Sequence, residues 1–290
     1  MTVVTVVEPG PLATVQDLGR PGYAHLGVPG SGAADRGALM LANRLVGNRE
    51  SAAGIESTLG GLRLSVDRDI LVAVTGAHAV VRVDGRPVGG HAATLVPAGG
   101  ELFVEPPAWG ARCYVAVRGG IDVPPVLGSR STDTLSGLGP RLLMAGTLLQ
   151  VGSETGDWPP VSAAPVSTDY PRVTELFVGD GPRRDHVARP QDLFAGVWEV
   201  SPDSNRVGVR LDRAAESSDP LVVHGPDGGE LASEGIAHGS VQVPPSGRPV
   251  IFLADHPVTG GYPVIAVLTA GSLGAAAQLV AGSTVRFRSL

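Results

Sequence analysis

Lysine is absent from this chain of 290 residues, and its 22 basic residues are all arginines. A Schiff-base or pyridoxal-phosphate mechanism needs a lysine amine, and a P-loop needs a lysine on the phosphates. Biotin and lipoate are also carried on lysine. The chain therefore bears no biotin and has no P-loop, although it can still act on a group that a separate carrier delivers.

Cysteine is almost absent. Cys113 is the single cysteine, so the chain forms no internal disulfide and has no C-x-x-C metal motif. The seven histidines show no metal-ligand spacing. We therefore expect no metal site.

Strong positive charge and long hydrophobic runs are missing too. The net charge is −6, and the largest cluster of arginines is the pair Arg183–Arg184. Both observations disfavour nucleic acid as a partner. No apolar run reaches the roughly 18 residues of a membrane span. The opening MTVVTVVEPGPL lacks the basic region and long apolar run of a signal peptide. We expect a cytoplasmic protein with no membrane partner.

Short β-branched runs with period two dominate what is present, and Gly, Pro, Asp or Ser interrupt them at short intervals. This spacing is typical of a mainly β fold of packed or closed sheets. The predicted strands are Thr2–Val7, Leu62–Val66, Ile70–Thr75, Val80–Val83, Leu102–Glu105, Tyr114–Arg118, Leu148–Val151, Glu175–Val178, Val207–Leu211, Ser240–Val243, Val250–Ala254, Val264–Thr269 and Thr284–Phe287.

Helices are expected to be few and short. Asp35 is the predicted cap of one helix, which Gly47 ends. Its apolar stripe is formed by Leu39, Ala42, Leu45 and Val46. A second helix is predicted over Leu273–Val280 with Ser272 as its cap, and a third candidate over 182–194 is interrupted by Pro190.

The proline-rich segment 153–172 predicts a linker. It would join an N-terminal β-rich lobe, residues 1–155, to a C-terminal β lobe, residues 171–290. The first lobe carries the Gly-rich loop and the predicted helix that Asp35 caps.

The densest polar segment, 14–48, holds Asp17, Arg20, Asp35 and Asn43 among many glycines. A Gly-rich loop lets backbone N–H groups approach a ligand, and the helix N-terminus that follows favours carboxylate or phosphate. These four residues are candidate substrate-binding groups. The alternatives are a plain N-cap for Asp35 and a structural ion pair between Asp17 and Arg20.

A second polar segment, VSPDSNRVGVRL, places Asn205 and Arg206 in a turn before a strand. The turn can bind a polar ligand, or it can be a simple Asx-type turn. The two readings stay open at this point.

A third segment, 233–263, contains Glu234 and Asp255, which we consider as general bases. A Thr-Gly-Gly turn can direct two N–H groups towards one oxyanion. The binding candidates here are Gln242, Thr259, Gly260, Gly261 and Tyr262. The alternative is a hairpin turn in which Tyr262 is a packing anchor.

These segments together resemble one family. The opening signature VQDLGRPGYAHLGVPGSGAADRGALMLANRLVGN is followed, in order, by SRSTD, VSPDSNRVGVRL, SEG, QVPPSGRP and LADHPVTGGYP. The pattern is similar to that of the 5-oxoprolinase C subunits, also known as the allophanate hydrolase subunit 2-like or biotin-dependent carboxyltransferase A/B-subdomain family. The resemblance covers nearly the whole chain.

The resemblance implies a mainly β, two-lobed structure with a cyclophilin-like barrel and few short helices. It implies a heterodimer or heterotetramer with the 5-oxoprolinase B subunit, and an A subunit that completes the enzyme. Together the three proteins open 5-oxo-L-proline to L-glutamate with ATP, which the complex would bind. We therefore expect an enzyme component that is inactive alone.

Two rival functions remain open. One is a carboxyltransferase half-site of a biotin-dependent urea carboxylase or allophanate hydrolase-type system, with biotin on another protein. The other is a regulatory protein that binds its sister protein, the B subunit.

Overall fold

A computed structural model describes residues 2–153, 155–167, 169–214, 221–223 and 231–290. The described residues form 21 strands and two α-helices, so the predicted mainly β fold with few short helices is confirmed. The chain divides into two compact units. Unit 1 comprises residues 1–20, 31–133 and 137–170, and unit 2 comprises residues 21–30, 134–136 and 171–290.

Unit 1 contains two antiparallel sheets. The larger has seven strands in the order β11-β12-β1-β4-β9-β6-β7, and the smaller has five in the order β2-β3-β10-β5-β8. Their bounds are β1 Val3–Pro9, β2 Leu12–Gln16, β3 Gly54–Thr58, β4 Leu62–Val66, β5 Ile70–His78, β6 Val81–Val83, β7 Arg86–Val88, β8 Ala93–Val96, β9 Glu101–Val104, β10 Trp109–Val117, β11 Ile121–Asp122 and β12 Leu148–Val151.

Strand β10 explains how this unit is layered. It is buried along almost its whole length, because both of its faces are covered. Cys113, Val115 and Val117 point into a core that contains residues of both sheets. The alternating residues Tyr114 and Ala116 point to the other face, where they join apolar clusters with helix residues. The smaller sheet is therefore a middle layer between the larger sheet and a helix.

That helix, α1, spans Arg36–Leu45. Asp35 caps it as predicted, since its carboxylate accepts the N–H of Ala38 at 3.0 Å. The predicted apolar stripe is buried against β5 and β10. Gly47 follows with a φ of +69°, a conformation that glycine adopts without strain.

Unit 2 is a closed barrel of seven strands in the order β13-β20-β17-β18-β15-β14-β21. The parallel pairing of β13 with β21 completes it, and the other pairings are antiparallel. A separate two-stranded sheet pairs β16 with β19. The bounds are β13 Val173–Asp180, β14 Trp198–Val200, β15 Gly208–Arg213, β16 Glu234–Gly235, β17 Ser240–Gln242, β18 Val250–Phe252, β19 Thr259–Gly260, β20 Val264–Leu268 and β21 Thr284–Ser289.

The second helix differs from its prediction. Helix α2 spans Ala270–Ala277 and has Thr269, not Ser272, as its N-cap, and the Thr269 side chain does not accept a helix N–H. The Ser272 hydroxyl instead accepts the N–H of Phe177 in β13 at 2.8 Å. The candidate helix over 182–194 is replaced by two 3-10 turns, Arg184–His186 and Pro190–Leu193, the second starting at the interrupting proline.

The predicted division into lobes stays a prediction. The two compact units differ from it in the assignment of three segments. Residues 21–30 and 134–136 fall within the predicted first lobe but count with unit 2, whereas 155–170 of the predicted linker count with unit 1.

Candidate functional site

Asp17 organises a buried polar cluster in unit 1. Its carboxylate accepts the N–H groups of Gly19 at 2.7 Å and Arg130 at 2.6 Å. It also accepts the hydroxyls of Ser129 and Ser131, both at 2.6 Å. These four donors compensate the buried negative charge. This Asp17 cluster, residues 17, 19 and 129–131, therefore ties the Gly-rich loop to the SRSTD segment.

Arg20 is the most unusual polar side chain of unit 1. It is only 1% exposed and donates to the carbonyls of Val126 and Ser131. Its third nitrogen, Nη1, is closed to solvent and has no partner among the described residues. The ion pair with Asp17 that the sequence offered as an alternative does not form, because both side chains bind backbone and hydroxyl groups of segment 126–131 instead. A buried guanidinium without a carboxylate is costly unless an anion joins it.

Two more buried polar atoms beside Arg20 have no partner within the described part of the chain. They are Oε1 of Gln16 and Oγ1 of Thr132. Nε2 of Gln16 donates to the Thr132 carbonyl at 2.8 Å, next to the Ser131 carbonyl that Arg20 contacts. Nε2 of Gln16 and Nη2 of Arg20 thus bind neighbouring carbonyls. Gln16, Arg20 and Thr132, which hold an unpartnered amide oxygen, guanidinium nitrogen and hydroxyl, are here named the Arg20 cluster. This set can bind a small molecule that carries both a carboxylate and an N–H donor.

Asp35 and Asn43 have structural partners. Asp35 is the cap of α1 described above. Nδ2 of Asn43 donates to the carbonyls of Glu50 at 3.2 Å and Ala52 at 2.8 Å, which fixes the turn after the helix. The structure does not bring either residue into the Arg20 cluster.

Asp255 and Arg206 form a buried ion pair in unit 2. Together with Thr134, which also binds Asp255, they are here named the Asp255 centre. Neither Asp255 nor Arg206 is more than 1% exposed. Nε of Arg206 lies 2.9 Å from one carboxylate oxygen and Nη2 lies 3.0 Å from the other. The N–H and hydroxyl of Thr134 add bonds of 2.9 and 2.6 Å.

The Asp255 centre keeps its carboxylate ionised. Burial by itself raises the pKa of Asp255, but the charge of Arg206 and the hydrogen bonds from Arg206 and Thr134 together lower that pKa below its ordinary value. An enclosed, ion-paired carboxylate is poorly placed to take a proton from substrate. The geometry therefore gives Asp255 a positioning role more readily than the role of a base.

Glu234 is the more accessible of the two predicted bases. It lies at the start of β16 and forms an ion pair with Arg183, whose Nε is 2.9 Å from Oε1. The hydrogen bond from Arg183 lowers the pKa of Glu234. Sequence reasoning missed Arg183, although it belongs to the only adjacent arginine pair in the chain.

The Thr-Gly-Gly segment forms a short strand followed by a bend. Thr259 and Gly260 are strand β19, paired with Gly235 and Glu234. A Cβ on Gly260 would lie 2.5 Å from the Ile236 side chain and 2.9 Å from Nε2 of Gln242. Glycine is thus needed there for close packing. The segment brings Glu234 beside Gly260, and Gly261 follows in a bend.

Gln242 and Tyr262 complete this loop. Nε2 of Gln242 donates to the Tyr262 carbonyl at 2.9 Å, so the amide anchors the loop backbone. The Tyr262 side chain itself is 48% exposed and is available to a ligand or partner.

Asn205 forms an Asx-type turn. Its Oδ1 accepts the N–H groups of Val207 at 2.8 Å and Gly208 at 3.4 Å, which agrees with the structural alternative for this segment. Its neighbour Arg206 points inward to the Asp255 centre.

The described ranges contain no group of three or more His, Cys, Asp or Glu side chains that could hold a metal ion. Burial raises the pKa of the Cys113 thiol to about 12, so this side chain is an unreactive core group. No helix in the described ranges has the length and apolar character needed to cross a membrane.

A family model and individual known proteins are similar to nearly the whole chain. Residues 26–289 match a family model described as "Carboxyltransferase domain, subdomain A and B". The chain is 36% identical to the 5-oxoprolinase C subunit of Escherichia coli K12, over 98% of this chain and 90% of that protein. It is 32% identical to a urea amidolyase of Lachancea kluyveri, over 97% of this chain but 16% of that protein.

A solved structure extends the similarity to three dimensions. The crystal structure of the Kluyveromyces lactis urea amidolyase superimposes with a TM-score of 0.91 at 30% identity. The match covers 99% of this chain and 19% of that one.

Proposed function

The chain belongs to the family of carboxyltransferase domains, subdomains A and B, and on that premise we propose that it is the C subunit of an ATP-dependent 5-oxoprolinase. One observation carries the proposal. The 36% identity to the E. coli 5-oxoprolinase C subunit extends over nearly the full length of both chains, whereas the urea amidolyase match takes in only 16% of a much longer protein. The proposed reaction opens the lactam of 5-oxo-L-proline to L-glutamate and uses ATP.

The Arg20 cluster supports 5-oxoproline as a ligand. Nη1 of Arg20 and the Thr132 hydroxyl would donate to the carboxylate, and Oε1 of Gln16 would accept the lactam N–H, which lies one carbon from that carboxylate. These three atoms are closed to solvent in the present conformation. We therefore propose that the partner proteins open the cluster, and that the isolated chain is inactive.

We propose that ATP is bound by the complex of the three subunits and not by this chain alone. The N-terminus of α1 is a position where a phosphate often binds, but the Asp35 carboxylate already occupies the N–H of Ala38 there and would repel phosphate. We propose that the 5-oxoprolinase B subunit binds this chain in a heterodimer or heterotetramer and that the A subunit completes the enzyme. Glu234 is the side chain that we propose for proton transfer.

Reconstitution tests the proposal. This chain is co-expressed with the B and A subunits encoded by the same genome, supplied with 5-oxoproline and ATP, and assayed for glutamate and ADP. Glutamate formation that needs all three chains and ATP is the expected result. Turnover by the isolated chain contradicts the proposal that all three subunits are required. A stable complex without turnover supports a regulatory protein instead.

Two variants test the assigned ligand site in the reconstituted complex. Gln16→Glu keeps the side-chain shape but gives Arg20 a permanent anion, so we expect the KM for 5-oxoproline to rise about tenfold or more while the KM for ATP stays unchanged. Arg20→Gln, which removes the guanidinium, should also raise the KM for 5-oxoproline, and Arg68→Gln, at an exposed turn, is its matched control. If Gln16→Glu leaves both KM values unchanged, 5-oxoproline does not bind at Arg20.

A carboxyltransferase half-site is the second candidate. The superposition on the K. lactis urea amidolyase favours it. Because this chain has no lysine, biotin would come from a separate protein. Inhibition of the complex by avidin supports this function, and avidin-insensitive glutamate formation supports the first.

A further inference from the structure

The outer surface of the unit 2 barrel carries a groove over strands β15 and β18. Val209, Leu211 and Ile251 belong to the barrel core, so the alternating residues Arg210 and Val250 face outwards and line the groove. The volume of the groove is about 420 Å³, which falls within the roughly 300–1,000 Å³ of small-molecule pockets. The groove is therefore large enough for a small organic ligand.

Four charged side chains line this groove, two of each sign. Arg248 and Asp212 neutralise each other, since Nη1 of the arginine lies 3.0 Å from Oδ1 of the aspartate. The other two, Arg210 and Asp203, are exposed, and neither side chain forms an ion pair or hydrogen bond with any residue that the structure describes. The lining is thus neutral as a whole, but it offers one unpaired cation and one unpaired anion.

Hydrogen bonds hold the segments that carry these two unpaired charges side by side. The N–H of Ser201 donates to the Arg210 carbonyl at 2.9 Å, and the N–H of Arg210 donates to the Ser204 hydroxyl at 3.0 Å. Asp203 lies between these two contacts in the chain, within a turn. The turn is therefore fixed beside β15, and little further ordering of the backbone is needed when a ligand binds.

We propose that this groove binds a neutral α-amino acid as its zwitterion, with the carboxylate on Arg210 and the ammonium on Asp203. A guanidinium donates two parallel hydrogen bonds to a carboxylate, and the Asp203 carboxylate accepts the N–H groups of an ammonium. The hydroxyls of Ser201 and Ser246 and the apolar side chain of Val250 remain for the rest of the ligand.

This ligand differs from that of the Arg20 cluster. The nitrogen of 5-oxoproline belongs to a lactam and carries no positive charge, so it offers Asp203 no ammonium. The proposal therefore stands whether or not 5-oxoproline is the substrate.

Calorimetric titration of the full chain at low ionic strength tests the proposal with three related probes. L-glutamine carries both charges, N-acetyl-L-glutamine lacks the ammonium, and L-glutamine amide lacks the carboxylate. L-glutamine should bind about fivefold more tightly than either blocked analogue, because each analogue loses one solvent-exposed ion pair.

Two variants assign the charges to their residues. Asp203→Asn should abolish the preference for L-glutamine over its N-acetyl form and keep the preference over the amide, and Arg210→Gln should do the reverse. Arg68→Gln and Asp157→Asn, which make the same charge changes at exposed positions of unit 1, should bind the probes like the unmodified chain.

Loss of one preference only, and a different one in each variant, cannot arise from a general loss of stability. Absence of saturable binding of L-glutamine, equal binding of the three probes, or preferences that the two variants leave unchanged or lower alike would overturn the proposal.

Discussion

A buried ion pair is expensive to break from one side, and Asp255 with Arg206 is such a pair. Asp255→Asn removes the negative charge that binds two nitrogens of this buried guanidinium. We expect a loss of about 3–5 kcal/mol in the free energy of unfolding. Urea denaturation measures it, with Asp203→Asn, an exposed carboxylate in the same unit, as the control. An equal effect of both variants would contradict the structural importance of the pair.

The same carboxylate predicts a pH dependence. Because folding lowers the pKa of Asp255, its contribution to stability is complete above its unfolded pKa of about 4 and is lost as the pH falls through the lowered folded value. Below about pH 4 the free energy of unfolding of the unmodified chain should therefore fall more steeply than that of Asp255→Asn. Parallel curves between about pH 7 and pH 2.5 would refute the assignment.

Residue types at the candidate site were predictable from the sequence, but their partners were not. Asp255 and Arg206 were both selected, yet a pairing across 49 positions depends on the barrel. Asp17 and Arg20 lie three positions apart, but the ion pair between them that the sequence offered as an alternative does not form. Segment 126–131 instead supplies two hydroxyls and an N–H to Asp17, and two carbonyls to Arg20.

At the scale of elements, the N-cap of α1 offers a clean test. Asp35→Ala removes the acceptor for the Ala38 N–H and should lower the free energy of unfolding by about 1 kcal/mol. Asp35→Asn keeps an oxygen at the cap and should retain most of the stability. Thermal denaturation distinguishes the two, and equal losses in both variants would mean that the capping bond does not matter.

Two glycines of unit 1, one within a strand and one in a turn, allow the cost of a positive φ to be compared with the cost of steric overlap. Gly76 in β5 and Gly85 after β6 have φ values of +94° and +76°. A Cβ on Gly76 would lie 2.3 Å from the Arg112 carbonyl, whereas one on Gly85 would meet nothing within 4 Å. We expect Gly85→Ala to cost about 1 kcal/mol and Gly76→Ala about 2–4 kcal/mol in urea unfolding. Similar losses in the free energy of unfolding for the two variants would indicate that the β5 backbone moves to accommodate the added Cβ.

A strand with a regular alternation was predicted from the sequence, and a short strand with polar residues at buried positions was not. Leu62–Val66 was predicted with its observed bounds, because its buried and partly exposed residues alternate. Strand β3, GIEST, was missed because it holds Gly, Glu and Ser at buried positions. Glu56 is acceptable there because the Tyr114 hydroxyl donates to it at 2.7 Å and Arg112 lies 3.6 Å away.

For the molecule as a whole, unit 2 is not a continuous stretch of chain. A fragment of residues 171–290 lacks segments 21–30 and 134–136, and with them both hydrogen bonds from Thr134 to Asp255. We expect this barrel to be less stable in the fragment than in the full chain by about 1–3 kcal/mol.

Trp198, buried in the barrel core, reports the difference. Its fluorescence in urea can be followed in the fragment, and in a full-length chain carrying Trp109→Phe and Trp158→Phe. A fragment that unfolds at the same urea concentration as the full chain would place all determinants of barrel stability after residue 170.

The pairings of first and last strands have a consequence for biosynthesis. Strand β1 pairs with β12 in unit 1, and β13 pairs with β21 in unit 2, so one edge of each early strand is paired only by a strand more than a hundred residues later. During translation, β1 and β13 leave the ribosome long before those partners exist. Such distant contacts slow folding and leave strand edges open to other chains. We therefore expect chaperone binding to protect the nascent protein until residue 289 has emerged.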